Sequence, residues 1–121
     1  MVLILGGAGA GKRAFARSLG FSDERMSADV HADRPVVFDL QETVRRDPDG
    51  ADALLPLLLT KELVLCDEVG SGVIPAEKKD RAFREATGRL CCALAKEASA
   101  VVRVVAGIPV VLKGALPCVS D

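Results

Sequence analysis

The clearest chemistry in the chain lies in seven residues, Gly6-Gly7-Ala8-Gly9-Ala10-Gly11-Lys12. Closely spaced glycines let consecutive backbone N–H groups turn toward one point, and a lysine at the end of such a loop reaches the outer phosphates of a nucleotide. The pattern G-x-x-x-x-G-K-[ST] next asks for a hydroxyl that holds Mg²⁺, and this chain places Arg13 there. An arginine can meet phosphate as a fixed cation, but it has no oxygen to offer a metal. The spacing therefore predicts a phosphate-binding loop over Gly6 to Arg13 that lacks its customary metal ligand.

A pair of carboxylates, Asp67 and Glu68, closes the apolar run Leu63-Val64-Leu65-Cys66. Open α/β sheets place ligand groups at the carboxyl ends of their strands. Asp67 is thus a candidate metal ligand and Glu68 a candidate catalytic or substrate-contacting group. The alternative for both is to cap the loop at 69–72 by accepting backbone N–H bonds. The cysteines, at 66, 91, 92 and 118, show no C-x-x-C spacing. Neighbouring Cys91 and Cys92 project about 100° apart on a helix, which is poor geometry for joint metal binding. Reduced, buried cysteines are expected.

These residues need elements to hold them. Val2 to Leu5 is a continuous apolar run ended by glycine, as in a buried parallel strand, and Lys12 to Leu19 reads as a helix that Gly20 can end. Residues 22–34 are polar without a period and read as a loop. Residues 35–40 read as a short strand leading into a helix near Gln41 to Arg46, with a turn at Asp47-Pro48-Asp49-Gly50 and a helix over Ala51 to Leu59. Glu62 to Glu68 reads as a second buried strand. Pro75 suits the first turn of a long helix, with Glu77 well placed for its dipole. The apolar face of that helix is Phe83, Ala86 or Thr87, Leu90, Leu94 and Ala98, at spacings of three and four. Gly88 costs helix stability, so close packing against a neighbour is expected there. Two strands, Val101 to Val105 and Ile108 to Lys113, follow. Strands alternating with helices predict an α/β fold: one P-loop NTPase-like domain over residues 1–121, with an open, mostly parallel sheet flanked by helices and reduced in size.

Composition narrows the function classes. Half of the 121 residues are apolar, yet the aromatics are four phenylalanines, so the core is aliphatic. So much aliphatic content on a small domain favours burial between subunits. A net charge of −1 argues against nucleic acid as partner. No signal-like segment is present, and Leu54 to Leu65 is too short and interrupted to span a bilayer, so a cytoplasmic protein away from membranes is expected.

One family resemblance emerges from three blocks: the glycine loop, Asp67-Glu68-Val69-Gly70-Ser71-Gly72-Val73-Ile74-Pro75 with Arg81-Ala82-Phe83-Arg84, and Ala106-Gly107-Ile108-Pro109-Val110-Val111-Leu112-Lys113. Together they resemble the adenosylcobinamide kinase / adenosylcobinamide-phosphate guanylyltransferase family of cobalamin biosynthesis. The resemblance implies GTP or ATP as ligand, adenosylcobinamide as a partner substrate, a homo-oligomer, and phosphoryl transfer followed by GMP transfer through a histidine. It assigns the guanylylated histidine to His31, one residue closer to Arg34-Pro35 than the pattern asks. Phe38 stands where the family has a tryptophan, and Glu42 stands where a glutamate reads guanine. Imidazole can attack phosphorus and later release it, and a glutamate can accept two guanine N–H groups. The implied catalytic set is His31, Lys12 and Glu68. The implied nucleotide contacts are Gly6, Gly7, Ala8, Gly9, Ala10, Gly11, Lys12, Arg13, Arg34 and Glu42. The chain departs from the family at Arg13, at Cys91-Cys92 in place of an Asn-Gln pair, and in lacking a central strand with a metal-anchoring aspartate. Two functions therefore stand side by side: a kinase and guanylyltransferase, or an impaired paralogue that binds nucleotide or corrinoid in a regulatory role.

Overall fold

Strand β1 (Val2–Gly6) runs through the interior of a six-stranded sheet in the computed structural model, which describes residues 1–69 and 78–116. In chain order the other strands are β2 (Met26–Ser27), β3 (Val36–Val37), β4 (Leu63–Asp67), β5 (Ala100–Val105) and β6 (Ile108–Lys113). Their order across the sheet is β2-β3-β4-β1-β5-β6, with every neighbouring pair parallel except the antiparallel β5–β6 hairpin. The helices are α1 (Lys12–Ser18), α2 (Leu40–Arg46), α3 (Leu55–Leu58) and α4 (Lys78–Glu97). The fold is α/β with a mostly parallel sheet, a reduced P-loop NTPase-like architecture.

Side chains alternate across a strand, so β1 and β4 feed both faces of the sheet. Leu3, Val64, Cys66 and Val101 pack with Leu40, Val44, Leu58, Phe83, Leu90 and Leu94, which makes the α2, α3 and α4 side the larger core. Ile4, Leu63, Leu65 and Val104 pack with Ala16, Leu19, Met26 and Val36 on the α1 side. Phe83, Ala86, Leu90, Leu94 and Ala98 are all buried, as their helical spacing predicts. Gly20 takes a left-handed φ of 98° just beyond α1, the conformation a helix-ending glycine supplies.

Several local expectations are corrected. Residues 22–34 are not purely loop: a 3-10 turn at Asp23–Arg25 leads into β2, whose two residues pair with β3. The helix expected over Ala51 to Leu59 is a 3-10 helix (Pro48–Leu54) followed by the single turn of α3, because Pro56 has no N–H to continue a regular ladder. The turn at 47–50 is the start of that 3-10 helix, where the Asp47 carboxylate accepts from the Gly50 N–H at 3.2 Å. Cys66 is buried, Cys91 half-buried and Cys92 exposed, so uniform burial of the cysteines fails; Cys118 lies outside the described residues. Pro75 and Glu77 also lie outside them.

Among the described residues of one chain Gly88 does not mark a close approach either, since a Cβ there meets nothing within 4 Å. Its cost is therefore purely conformational. Gly88→Ala is expected to stabilise the domain by about 0.5–1 kcal/mol, read as a raised urea midpoint at unchanged slope.

Candidate functional site

The parallel register sets Gly6 of β1 opposite Asp67 of β4 on one side and Val104 of β5 on the other. A Cβ on Gly6 would lie 2.7 Å from the Val104 carbonyl oxygen, so the strand can leave the sheet here only as glycine. Gly9 and Gly11 take φ of 73° and 101°, left-handed values that suit glycine, and the chain folds back into α1. The turn of the β5–β6 hairpin buttresses this loop from outside: the Gly107 N–H donates to the Ala10 carbonyl at 2.8 Å.

Lys12 is 8 % exposed and folds back under the loop. Its ammonium donates to the carbonyls of Gly6 (3.2 Å) and Gly7 (2.8 Å) and pairs with Asp67 Oδ1 at 2.7 Å. An ammonium has three N–H donors, and three acceptors surround this one. Asp67 is fixed from the backbone side as well, because its N–H donates to the Gln41 side-chain oxygen at 2.9 Å. Gln41 is buried at the start of α2, and its side-chain nitrogen reaches Asp39 Oδ1 at 3.5 Å. Asp39, at φ 52° and ψ 42°, is one of two non-glycine residues with positive φ among the described residues.

A cavity of about 630 Å³ opens above this floor. Its lining includes Ala8, Gly9, Gly11, Lys12 and Arg13 from the loop and α1, Phe38, Asp39, Gln41 and Glu42 from the segment that enters α2, and Asp67 from β4. The Arg13 guanidinium lies over the Phe38 ring, 4.4 Å from its centroid, inside the range of a cation–π contact. The cavity thus joins a glycine loop, a lysine and an arginine to Phe38 and to Glu42, the glutamate for which the family resemblance implies contact with guanine.

The remaining candidates lie elsewhere. Glu68 is engaged by Arg103 through two bonds of 2.7 and 3.0 Å, on the other side of the loop, in a groove shared with Gly7 and Ala10. His31 is exposed; its N–H donates to Asp29 Oδ1 at 2.9 Å, and it lines a groove of about 350 Å³ with Asp29, Thr43 and Arg46. Exposed Arg34 donates to the Asp33 carbonyl at 3.2 Å. Neither His31 nor Arg34 is among the residues lining the glycine-loop cavity.

Sequence reasoning passed over Lys61. Its buried ammonium donates to the carbonyls of Ala32 (2.8 Å) and Arg34 (3.0 Å), pinning the segment that carries His31 and Arg34. No local pattern marks it, since its partners lie 27 and 29 residues away in sequence. Lys61→Met leaves two carbonyls without their donor and is expected to cost about 1–3 kcal/mol. Hydrogen exchange would locate the loss as faster exchange at the amides of 31–34.

The magnesium that the resemblance implies does not fit these residues. Arg13 stands at the hydroxyl position, and Asp67 is held by Lys12. Behind the cavity floor, Cys66 and Cys91 interact: the hydrogen bond to Cys91, then burial, pushes the Cys66 thiol up, and the same bond lowers Cys91. The two sulfurs thus fill the space between β4 and α4 with a weakly polar pair in the core.

The family model described as cobinamide kinase / cobinamide phosphate guanyltransferase matches residues 42–112. That span holds Glu42, β4 with Asp67 and Glu68, α4 and the β5–β6 hairpin; the glycine loop and His31 precede it. No curated protein matches the chain. Among the described residues, no helix is long and apolar enough to cross a membrane.

Proposed function

Because the chain belongs to the cobinamide kinase / cobinamide phosphate guanyltransferase family, we propose that its glycine-loop cavity binds a nucleoside triphosphate, GTP or ATP, in cobalamin biosynthesis. The observation that carries this reading is one cavity uniting Gly9, Gly11, Lys12 and Arg13 with Phe38 and Glu42. Phosphates would sit against the loop and its two cations, with the base toward Phe38 and Glu42. A carboxylate can accept both N–H donors of a guanine edge, so Glu42 favours GTP over ATP. Titration calorimetry with GTP, ATP, GDP and CTP tests the reading. Saturable binding of GTP with CTP weakest supports it; no heat from any triphosphate at millimolar concentration contradicts it.

Binding without turnover is the reading the cavity favours over full catalysis. Arg13 removes the customary metal ligand, Lys12 and Asp67 occupy each other, and His31 lines a different groove. Phosphoryl transfer depends on neutralising charge at positioned phosphates, so these departures slow it by orders of magnitude. The chain then acts as a nucleotide- or corrinoid-binding regulatory relative. Labelled GTP with Mg²⁺ and cobinamide separates the two: labelled protein or phosphorylated cobinamide at enzyme-like rates would restore the catalytic reading. A homo-oligomer belongs to the same proposal, supported by the exposed aliphatics Val105, Ile108, Val110, Val111 and Leu112 along the edge hairpin. Light scattering reads it directly.

A further inference from the structure

We propose that Arg13, held on the Phe38 ring, neutralises the nucleotide's phosphates in place of a divalent cation, so that this cavity takes a nucleoside triphosphate without metal. The inference rests on the nucleotide reading above and goes further by naming what balances the ligand's charge. A triphosphate carries about four negative charges, and a site that admits it must oppose them with fixed or mobile cations. Lys12 at the cavity floor is paired with Asp67 at 2.7 Å and adds net charge only where a phosphate displaces that carboxylate. Arg17 also lines the cavity, but it is committed to Asp23 at 2.8 Å. Arg13 differs from both. Among the described residues its guanidinium pairs with no carboxylate, and its one recorded contact is the face of Phe38.

A guanidinium stacked on an aromatic keeps its in-plane N–H donors open while losing much of its rotational freedom. That is the preparation a fixed phosphate clamp needs. Two of the acids around the cavity face cations of their own, Glu42 at 3.8 Å from Arg45 and Asp67 at 2.7 Å from Lys12, while Asp39, which accepts from the neutral Gln41 amide at 3.5 Å, keeps its charge. The donor set rejects a metal at the position where Arg13 offers a cation, and a single residue produces both effects. Phe38 acquires a second duty, since the ring expected to face a base also aims the arginine.

The test is titration of GTP and ATP into the full chain, in excess EDTA and in excess MgCl₂ at matched ionic strength. Wild-type affinity should agree within about twofold between the two buffers. Arg13→Ala should weaken binding in EDTA about tenfold or more, the loss of a charge-assisted contact. Phe38→Leu, which keeps an apolar side chain but no ring face, should weaken it several-fold. Arg13→Ser returns the hydroxyl and should make binding tighter with Mg²⁺ than without. Arg13 is exposed, so unchanged far-ultraviolet circular dichroism and melting will show that its variants fold. Wild-type binding that needs Mg²⁺, or an Arg13→Ala variant that binds as wild type in EDTA, overturns this inference and leaves the nucleotide reading standing. Absence of binding in both buffers overturns the two together.

Discussion

Lys12→Ala should weaken GTP binding about a hundredfold, whereas Asp67→Asn should strengthen it several-fold. Both expectations follow from one contact. The Lys12 ammonium has its three donors directed at Gly6 O, Gly7 O and Asp67 Oδ1. To meet a phosphate it must give up one of these partners, and the carboxylate is the one in direct electrostatic competition. Removing the lysine deletes the cation; removing the acid's charge frees the cation and lifts a negative charge from the cavity floor. Each change also costs about 1–3 kcal/mol of stability, because the other partner, buried Lys12 or half-buried Asp67, stays behind without its counter-charge. Calorimetry on the two variants, alongside urea melts, separates the effects. If Asp67→Asn weakened binding as Lys12→Ala does, Asp67 would be acting on the ligand through a metal, and the account of this floor would be wrong.

The largest stability effect is expected at Leu94. Its side chain is fully buried, and it belongs to the larger core with Leu3, Leu58, Val64, Leu90 and Val101. Leu94→Ala removes three heavy atoms from a packed interior and leaves a cavity that fixed strands β1, β4 and β5 cannot close. The cost is about 2–5 kcal/mol, offset by only a few tenths from alanine's better helix propensity. For a domain of this size that lowers Tm by ~10 °C or more. The nucleotide cavity is lined by the loop, α1, residues 38–42 and the end of β4, with no residue of α4 among them, so affinity below the melting range should stay within about twofold of wild type. A loss under ~0.5 kcal/mol would mean that α4 does not cover the sheet as described.

The elements legible in the sequence were those whose pattern is local. Val2 to Gly6 reads as strand and loop because apolar residues run unbroken into glycine, and α4 because Phe83, Leu90 and Leu94 recur at helical spacing. What was not legible depends on partners far along the chain. Met26–Ser27 is a strand only because β3 lies beside it, and no period can form in two residues. Gly107 supports the glycine loop across about a hundred residues of sequence, and Lys61 finds its carbonyls only once β4 is in place. At the site, the glycine loop itself, Phe38 and Glu42 meet in one cavity, but no local pattern signals that Lys12 and Asp67 occupy each other. That contact follows from the β1–β4 register, which pairs Gly6 with Asp67. At Gly88 the sequence is equally compatible with crowding and with open space, and the fold leaves open space there among the described residues.

Backbone amide shifts, followed by two-dimensional NMR while GTP is added to the ¹⁵N-labelled chain in metal-free buffer, test the central claim most directly. The largest saturable changes should fall on the amides of Gly7 to Arg13, with smaller ones at Phe38 to Glu42 and at Gly107 behind the loop. Shifts centred instead on Asp29, His31, Thr43 and Arg46, or a glycine loop unmoved by saturating nucleotide, would contradict it.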